Sequence, residues 1–471
     1  MYKRQYYSRI LCGNNADPTI LEEGGKYYMT VSSFRYLPGL TLYESEDLLH
    51  WKKVNTIPVG ALSDVWAPDL CKIGSRYFIY FPTDGQNHAV YTDDLYGKWE
   101  GPVAIGGRGL IDPGYIRDRE TGRGWLFFNN GYAAPLAEDG LSLAEEPRVV
   151  YPAWKYPDEW ITEGENCEGP KLFFRNGWYY LTVAEGGTAG PPTSHMAVIM
   201  RSRRLDGGWE FSPYNPVIRT RSADERWLSA GHATPFRGPD GRWHFILHAY
   251  ERGRYNEGRQ VIMCDAAWTE DGWPVALDRT APDVDPQNAF HDFSAMTEKQ
   301  LFADFSLYGK FQPERVRFAD GCLRLAGCGE DASRCRPLLL NGTAGNYTLT
   351  ATFAADLCTC PEYGLLFYYS EQCEVGVCMK DGEIYVFSQG WYRHREGGFQ
   401  GKTLCLRIEK KDDVLTYFYG RDADNMRKIS VSSEVSGFHH NAFGGFLSLR
   451  PGMYALGQGS LACRSLEIRY F

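Results

Sequence analysis

The chain has 471 residues and a mass of 53.4 kDa, with 43% hydrophobic and 23% charged residues, the mix of a globular protein rather than of a disordered or collagen-like chain. Its 50 Lys and Arg against 59 Asp and Glu give a formal net charge of −9. An acidic chain without a basic run is a poor match for a phosphate backbone or an anionic membrane, and no apolar stretch nears the ~20 residues of a membrane span, so neither nucleic acid nor a membrane is expected as a partner. Aromatic residues reach 15%, with 31 Tyr and 13 Trp beside 51 Gly, which predicts an all-β protein rich in turns.

At the N-terminus, residues 1–13 contain no apolar core of a signal peptide. Met1-Tyr2-Lys3-Arg4-Gln5 back-translates to ATGTATAAGAGACAG, which looks like the transposase end of a sequencing adapter. These five residues are read as an assembly artefact that can stand in place of a true start and its signal peptide.

A degenerate repeat follows. Each copy opens on a short polar segment with Pro, runs into a strand, turns at Gly and returns as an aromatic strand. The openings are Asp17-Pro18-Thr19-Ile20, Ala67-Pro68-Asp69-Leu70, Asp112-Pro113-Gly114-Tyr115, Glu168-Gly169-Pro170-Lys171 and Ala233-Thr234-Pro235-Phe236. The returning strands include Lys26-Tyr27-Tyr28-Met29 and Trp178-Tyr179-Tyr180. Prolines 18, 68, 113, 170 and 235 fall at intervals that suit blades of about four strands each, and five copies predict a five-bladed β-propeller over residues 6–298. Kelch-type Gly-Gly and Trp-Asp signatures are missing. A Pro at the first residue of a strand loses no ladder hydrogen bond and is expected to push the preceding residue into an extended conformation. That would aim the acids of three copies, Asp17, Asp112 and Glu168, at the mouth of the channel.

Residues 281–288 are turn-rich and read as a linker. Beyond them, alternating segments such as Tyr347-Thr348-Leu349-Thr350-Ala351-Thr352-Phe353 and Leu404-Cys405-Leu406-Arg407-Ile408 predict a β-sandwich, a concanavalin-like jelly roll, over residues 299–471. Nine of the 13 cysteines lie after residue 320. Cys358-x-Cys360 is too tight and Cys373-x₄-Cys378 slightly too wide for zinc pairs. They read mostly as free thiols of a reducing compartment, hence a cytoplasmic protein.

Three carboxylates at one end of a propeller are the equipment for cleaving a glycosidic bond, which needs an acid for the leaving oxygen and a carboxylate to activate water or attack. The chain resembles glycoside hydrolase family 43 in its branch with a C-terminal sandwich. The resemblance is carried by Asn14-Asn15-Ala16-Asp17-Pro18, Ser32-Ser33-Phe34, Val65-Trp66-Ala67-Pro68, Ile111-Asp112-Pro113, Glu168-Gly169-Pro170, Ala184-Glu185-Gly186-Gly187-Thr188, Gly231-His232 and Gly258-Arg259-Gln260, in the family's order. An isolated Asp-Pro is a turn or strand cap; eight ordered segments at blade spacing are a different matter. The resemblance implies an inverting mechanism with Asp17 as general base, Glu168 as general acid and Asp112 orienting that acid and raising its pKa. Phe34 and Trp66 would pack against the sugar, Arg259 would hydrogen-bond its hydroxyls, and Thr188 would lie near the acid. His232 would sit in the channel near a water or cation. No organic cofactor is implied, and the family admits a structural calcium ion in the channel, held mostly through waters. His195 would rim the pocket; Glu163 and Glu165 rank behind Glu168 because neither precedes Gly-Pro at a blade start.

The expected substrate is an oligosaccharide of hemicellulose, from which an exo-acting enzyme releases a terminal pentose: β-1,4-linked xylose first, α-L-arabinofuranose next, with other furanosides or galactosides of the same family behind. In relatives the sandwich closes the propeller pocket, which favours single-sugar release. A non-catalytic carbohydrate-binding propeller is the reading from another class. A G-x-S-x-G elbow and a phosphate-cradling Gly-rich loop are both missing. The oligomeric state is left open, a homo-oligomer included.

Overall fold

The structure, a computed structural model, describes residues 7–279 and 281–471. The proposed adapter-derived segment, residues 1–5, and Tyr6 at the start of the predicted propeller lie outside the described residues. By contacts the chain forms two compact units. The first comprises the chain up to Phe34, Gly39–Arg252 and Arg259–Val284; the second comprises Arg35–Pro38, Gly253–Gly258 and Asp285–Phe471.

The first unit is a five-bladed propeller of antiparallel sheets. The first four blades run in chain order from innermost to outermost strand, beginning at Thr19–Glu23, Asp69–Ile73, Gly114–Arg117 and Cys167–Arg175. The fifth blade is built from Trp227–Arg237, Trp243–Glu251 and Arg259–Trp268, and Ser8–Leu11 from the start of the chain completes it by pairing with Arg259–Trp268. This pairing closes the ring and leaves the last blade no bare edge on that side. Several blade strands are buried along almost their whole length, so neighbouring blades pack face against face. Between the third and fourth blades Phe127, Leu181, Val198 and Met200 pack together, and between the fourth and fifth Tyr180, Phe245, Ile262 and Trp273 do so.

The inner strands are also tied across the channel. Asp69 and Lys171 form a buried ion pair at 2.8 Å. The same Asp69 carboxylate accepts the Thr19 hydroxyl at 3.2 Å and the Tyr115 backbone N–H at 2.8 Å, and Lys171 also donates to Pro68 O. Four blades thus meet on one acid. The fifth joins through the Thr234 hydroxyl, which donates to Pro18 O at 2.7 Å.

One expectation fails. Ahead of four of the five blade prolines the backbone is not extended: φ is +57° at Asp17, +57° at Asp112, +29° at Ala67 and +60° at Gly169, while Thr234, ahead of Pro235, lies in a strand as expected. Proline's steric push is outweighed by tertiary contacts that fix the turn. Asp tolerates the left-handed region better than most residues because its short polar side chain bonds locally. In the fifth copy the left-handed residue is His232, at φ +52°.

The second unit is a β-sandwich of two eight-stranded antiparallel sheets. One includes Cys322–Ala326, Ser460–Tyr470, Tyr347–Ala354 and Thr403–Lys411; the other includes Glu383–Ser388, Cys373–Lys380, Glu362–Ser370 and Arg450–Leu456. Ala289–Asp292 pairs with Ser460–Tyr470, so the chain after residue 284 lies with this unit. The sheets meet through aromatic contacts, Tyr347 stacked on Phe367 at 6.0 Å and Phe353 against Tyr363 at 5.3 Å. All 13 cysteines are free thiols.

Candidate active site

The predicted acids converge inside the propeller. Asp17 and Asp112 are buried, and Glu168 is partly so. Each stands at the start of an innermost strand, and glycines let those starts approach. A Cβ at Gly114 would fall 2.0 Å from Pro170 O, and one at Gly169 would fall 2.7 Å from the His232 ring. Only glycine lets the Asp112 and Glu168 turns close on each other and on the channel histidine. The Gly169 N–H then donates to Asp112 Oδ2 at 2.9 Å, joining the two acidic turns directly.

Asp17 sits in a polar cage. Its Oδ2 accepts the Ser32 hydroxyl at 2.5 Å, and Ser32 in turn accepts the Ala67 N–H of the next blade. Its Oδ1 lies 3.1 Å from His232 Nδ1, 3.1 Å from His248 Nδ1 and 3.5 Å from an Arg259 guanidinium nitrogen. The backbone N–H of Asp17 donates to His248 Nδ1 at 3.0 Å. That bond uses the Nδ1 lone pair, so His248 is neutral with its proton on Nε2, 3.5 Å from the Thr188 hydroxyl. Burial, then the Arg259 charge, pushes the His248 pKa down to about 4, in keeping with that tautomer. His232 donates from Nδ1 to the carboxylate, and its buried Nε2 has no partner among the described residues.

The electrostatics divide the acids. Burial works to raise the Asp17 pKa, but Arg259, then His232, outweigh it and hold the carboxyl well below the ordinary range. Asp112 is pushed up by burial and by the like charge of Glu168. Glu168 is pushed up toward neutral pH by burial and by Asp17, with Arg259 opposing. No hydrogen bond among the described residues holds the Glu168 carboxyl. The site therefore sets a carboxyl held toward its ionised form by Ser32, His232 and Arg259 beside one pushed toward its protonated form, the pairing that acid–base catalysis needs at one pH.

Around them, Phe34 is 1% exposed, with its ring 5.3 Å from the Arg259 guanidinium carbon and 6.1 Å from Trp66 in an edge contact. Trp66 is 37% exposed, an aromatic surface open to a ligand. Arg259 is placed by its backbone: its N–H donates to Asn14 Oδ1 and its carbonyl accepts from Asn15. Thr188 is buried against His248. His195 is buried, stacked on His248 at 5.3 Å, and a Cβ at Gly231 would strike it at 2.2 Å. Glu163 and Glu165 are exposed; Glu163 accepts the Ala189 N–H at 2.6 Å. Sequence reasoning passed over His248 and assigned Ser32 no role. His248 lies in a continuously buried strand, Trp243–Glu251, where nothing local marks a buried imidazole as functional.

Asp17, His232 and His248 offer donor atoms within 4.8 Å of one another. A direct chelate is a poor fit, because the His248 Nδ1 lone pair is used by the Asp17 N–H and Arg259 already faces Asp17. A hard cation also prefers oxygen ligands. The unpartnered Nε2 of His232 suits a water, and through it a hydrated cation.

The five-bladed propeller thus draws three acidic turns together at its inner strands, two of their carboxyls pushed toward the protonated form and one held toward the ionised form. Residues 6–274 match the model of glycosyl hydrolases family 43, and the chain belongs to that family. Among characterised relatives it is 31% identical to the xylosidase/arabinosidase 43B of Humicola insolens over 69% of this chain, and 27% identical to a xylan 1,3-beta-xylosidase of a Vibrio species over 63% of it. These alignments cover 66% and 63% of the relatives' own lengths, less than two thirds of each. The fold is that of the family-43 protein BlXynB of Bacillus licheniformis, with a TM-score of 0.86 at 20% identity over 99% of this chain and 100% of that one.

Proposed function

We propose that the protein is an inverting exo-glycosidase that removes terminal pentoses from hemicellulose oligosaccharides, with β-1,4-linked xylose as the leading substrate. The observation that carries this reading is the opposite electrostatic setting of Asp17 and Glu168 within one buried cluster. Asp17 takes a proton from the attacking water, and Glu168 gives its proton to the leaving oxygen. Water and leaving group then occupy opposite faces of the sugar, which inverts the anomeric centre. Asp112, bonded to the Gly169 N–H, holds the Glu168 turn. Arg259 and Trp66 are the groups for hydroxyls and for a sugar face. The names of both relatives above support xylose first, and that of the Humicola relative keeps α-L-arabinofuranose as the second reading.

No organic cofactor enters this reaction. A calcium ion in the channel would be held through a water on His232 Nε2 and would add positive charge beside Asp17, favouring its ionised form. Thirteen free thiols support a reducing compartment, and we assign the protein to the cytoplasm on that ground.

The test is a panel of aryl β-xyloside, α-L-arabinofuranoside, β-galactofuranoside and β-galactoside with the intact chain, following the first-formed anomer by proton NMR. The xyloside should turn over fastest, with inverted product. Asp17→Asn should lower kcat by about 10²–10⁴-fold on every substrate. Glu168→Gln should do the same on xylobiose but much less on an activated aryl xyloside, whose leaving group needs no proton. Retained product, or wild-type binding without turnover, would sink the hydrolase reading in favour of another mechanism or a sugar-binding propeller.

A further inference from the structure

We propose that the sandwich carries a second ligand site: a cavity of about 510 Å³, lined by Arg35, Arg334 and Arg336 around Tyr308, that binds a small oxyanion, the carboxylate of an acidic sugar or a phosphate. Every lining residue belongs to the second unit.

The first argument is charge. Three guanidinium groups line the cavity against one carboxylate, Glu371. That acid is engaged by Arg35 at 2.8 and 3.0 Å and by the Tyr308 hydroxyl at 3.0 Å. Arg336 donates to Gln312 Oε1 at 3.1 Å, a neutral acceptor that leaves its charge uncompensated. The Arg334 guanidinium has no partner among the described residues. Beneath them lies Arg315, which is buried yet donates only to backbone carbonyls: Ala326 at 2.9 Å, Arg336 at 2.8 Å and Cys335 at 3.3 Å. A buried guanidinium without a carboxylate adds to the positive potential of the floor. Of the acids nearby, Asp331 accepts the Ser333 N–H, and Glu374, fully buried, accepts the Gly390 N–H and is pushed up by burial to about 7, which reduces its charge. In a chain of net charge −9, this cluster runs against the global trend.

The second argument is that the site is built. Arg315 ties down the loop 326–336 that carries two of the lining arginines. Arg336, ahead of Pro337, is held at φ +42°, a conformation that a non-glycine residue adopts only when its surroundings impose it. A Cβ at Gly329 would fall 2.5 Å from Arg334 O, so the loop is drawn close. Planar guanidinium forks match the two oxygens of a carboxylate or phosphate. Tyr308 and Tyr368, with ring centroids 4.8 Å apart and both buried, hold the wall of the cavity rigid.

Calorimetric titration of the intact chain at low salt, with glucuronate, inorganic phosphate and neutral xylose as separate ligands, tests this. The expected result is that glucuronate or phosphate binds, that Arg334→Glu and Arg334→Ala each weaken it by about tenfold or more, and that added salt weakens it further. Arg334 is exposed, and a thermal melt of each variant checks that it remains folded. Glucuronate without phosphate points to an acidic sugar, and phosphate without glucuronate to a phosphorylated ligand. Binding by neither oxyanion, or binding that both variants leave unchanged, overturns the proposal.

Discussion

Asp17 and Glu168 carry the same functional group in opposite company. Asp17 gathers Arg259, His232 and Ser32 around its two oxygens, and these outweigh the effect of burial. Glu168 gathers no hydrogen-bond donor among the described residues; burial and the charge of Asp17 push its proton affinity up. The signs set the pH dependence. The base works only when ionised, which holds above its depressed pKa, and the acid works only when protonated, which holds below its raised pKa. We therefore expect kcat/KM to fall as pH rises through about 7 and to hold on the acid side to below the ordinary carboxylate range. Asp112 and Glu168 repel each other when both are ionised, so Asp112→Asn, which removes one partner of that repulsion, should move the alkaline limb to lower pH. Arg259→Met should move the acid limb to higher pH. A pH–rate profile of each variant reads both shifts. The acids themselves were legible because each stands beside a blade-opening Pro. His248 was not: its partner Asp17 lies 231 residues away, and an isolated His in a continuously buried strand carries no local mark.

The blade openings do more than begin strands. Each must turn a side chain toward the channel and still pass its backbone close to the next blade, and left-handed φ values at Asp17, Asp112, Ala67 and Gly169 accomplish both. The proline rule predicted extended backbone there and was overridden by packing that a dipeptide rule does not contain. The same inner strands meet at the Asp69–Lys171 pair, which joins four blades. Lys171→Met would leave Asp69 as a buried unpaired charge and should destabilise the propeller by about 3–5 kcal/mol. The double variant Lys171→Met with Asp69→Asn should recover much of that loss, since neither charge then remains. Denaturant melts of the two single variants and the double complete the cycle; equal additive losses would show that the pair does not couple.

At the level of the molecule, two all-β units hold 13 thiols, ten of them buried and three partly exposed, Cys12, Cys328 and Cys358. Ellman titration should therefore count 13 thiols in denaturant without reductant and no more than three in the native protein; a lower count in denaturant would reveal disulfides. The number of blades, the order of their strands and the three acids could all be read from the chain, because turn residues and strand alternation are local and recur at a regular interval. The closing partnership of Ser8–Leu11 with Arg259–Trp268, the histidine cage around Asp17, the acid that pins four blades and the arginine cavity of the sandwich could not. Each joins residues tens to hundreds of positions apart, and neither a propensity nor a spacing records which distant side chains the closed ring will bring within a few ångströms.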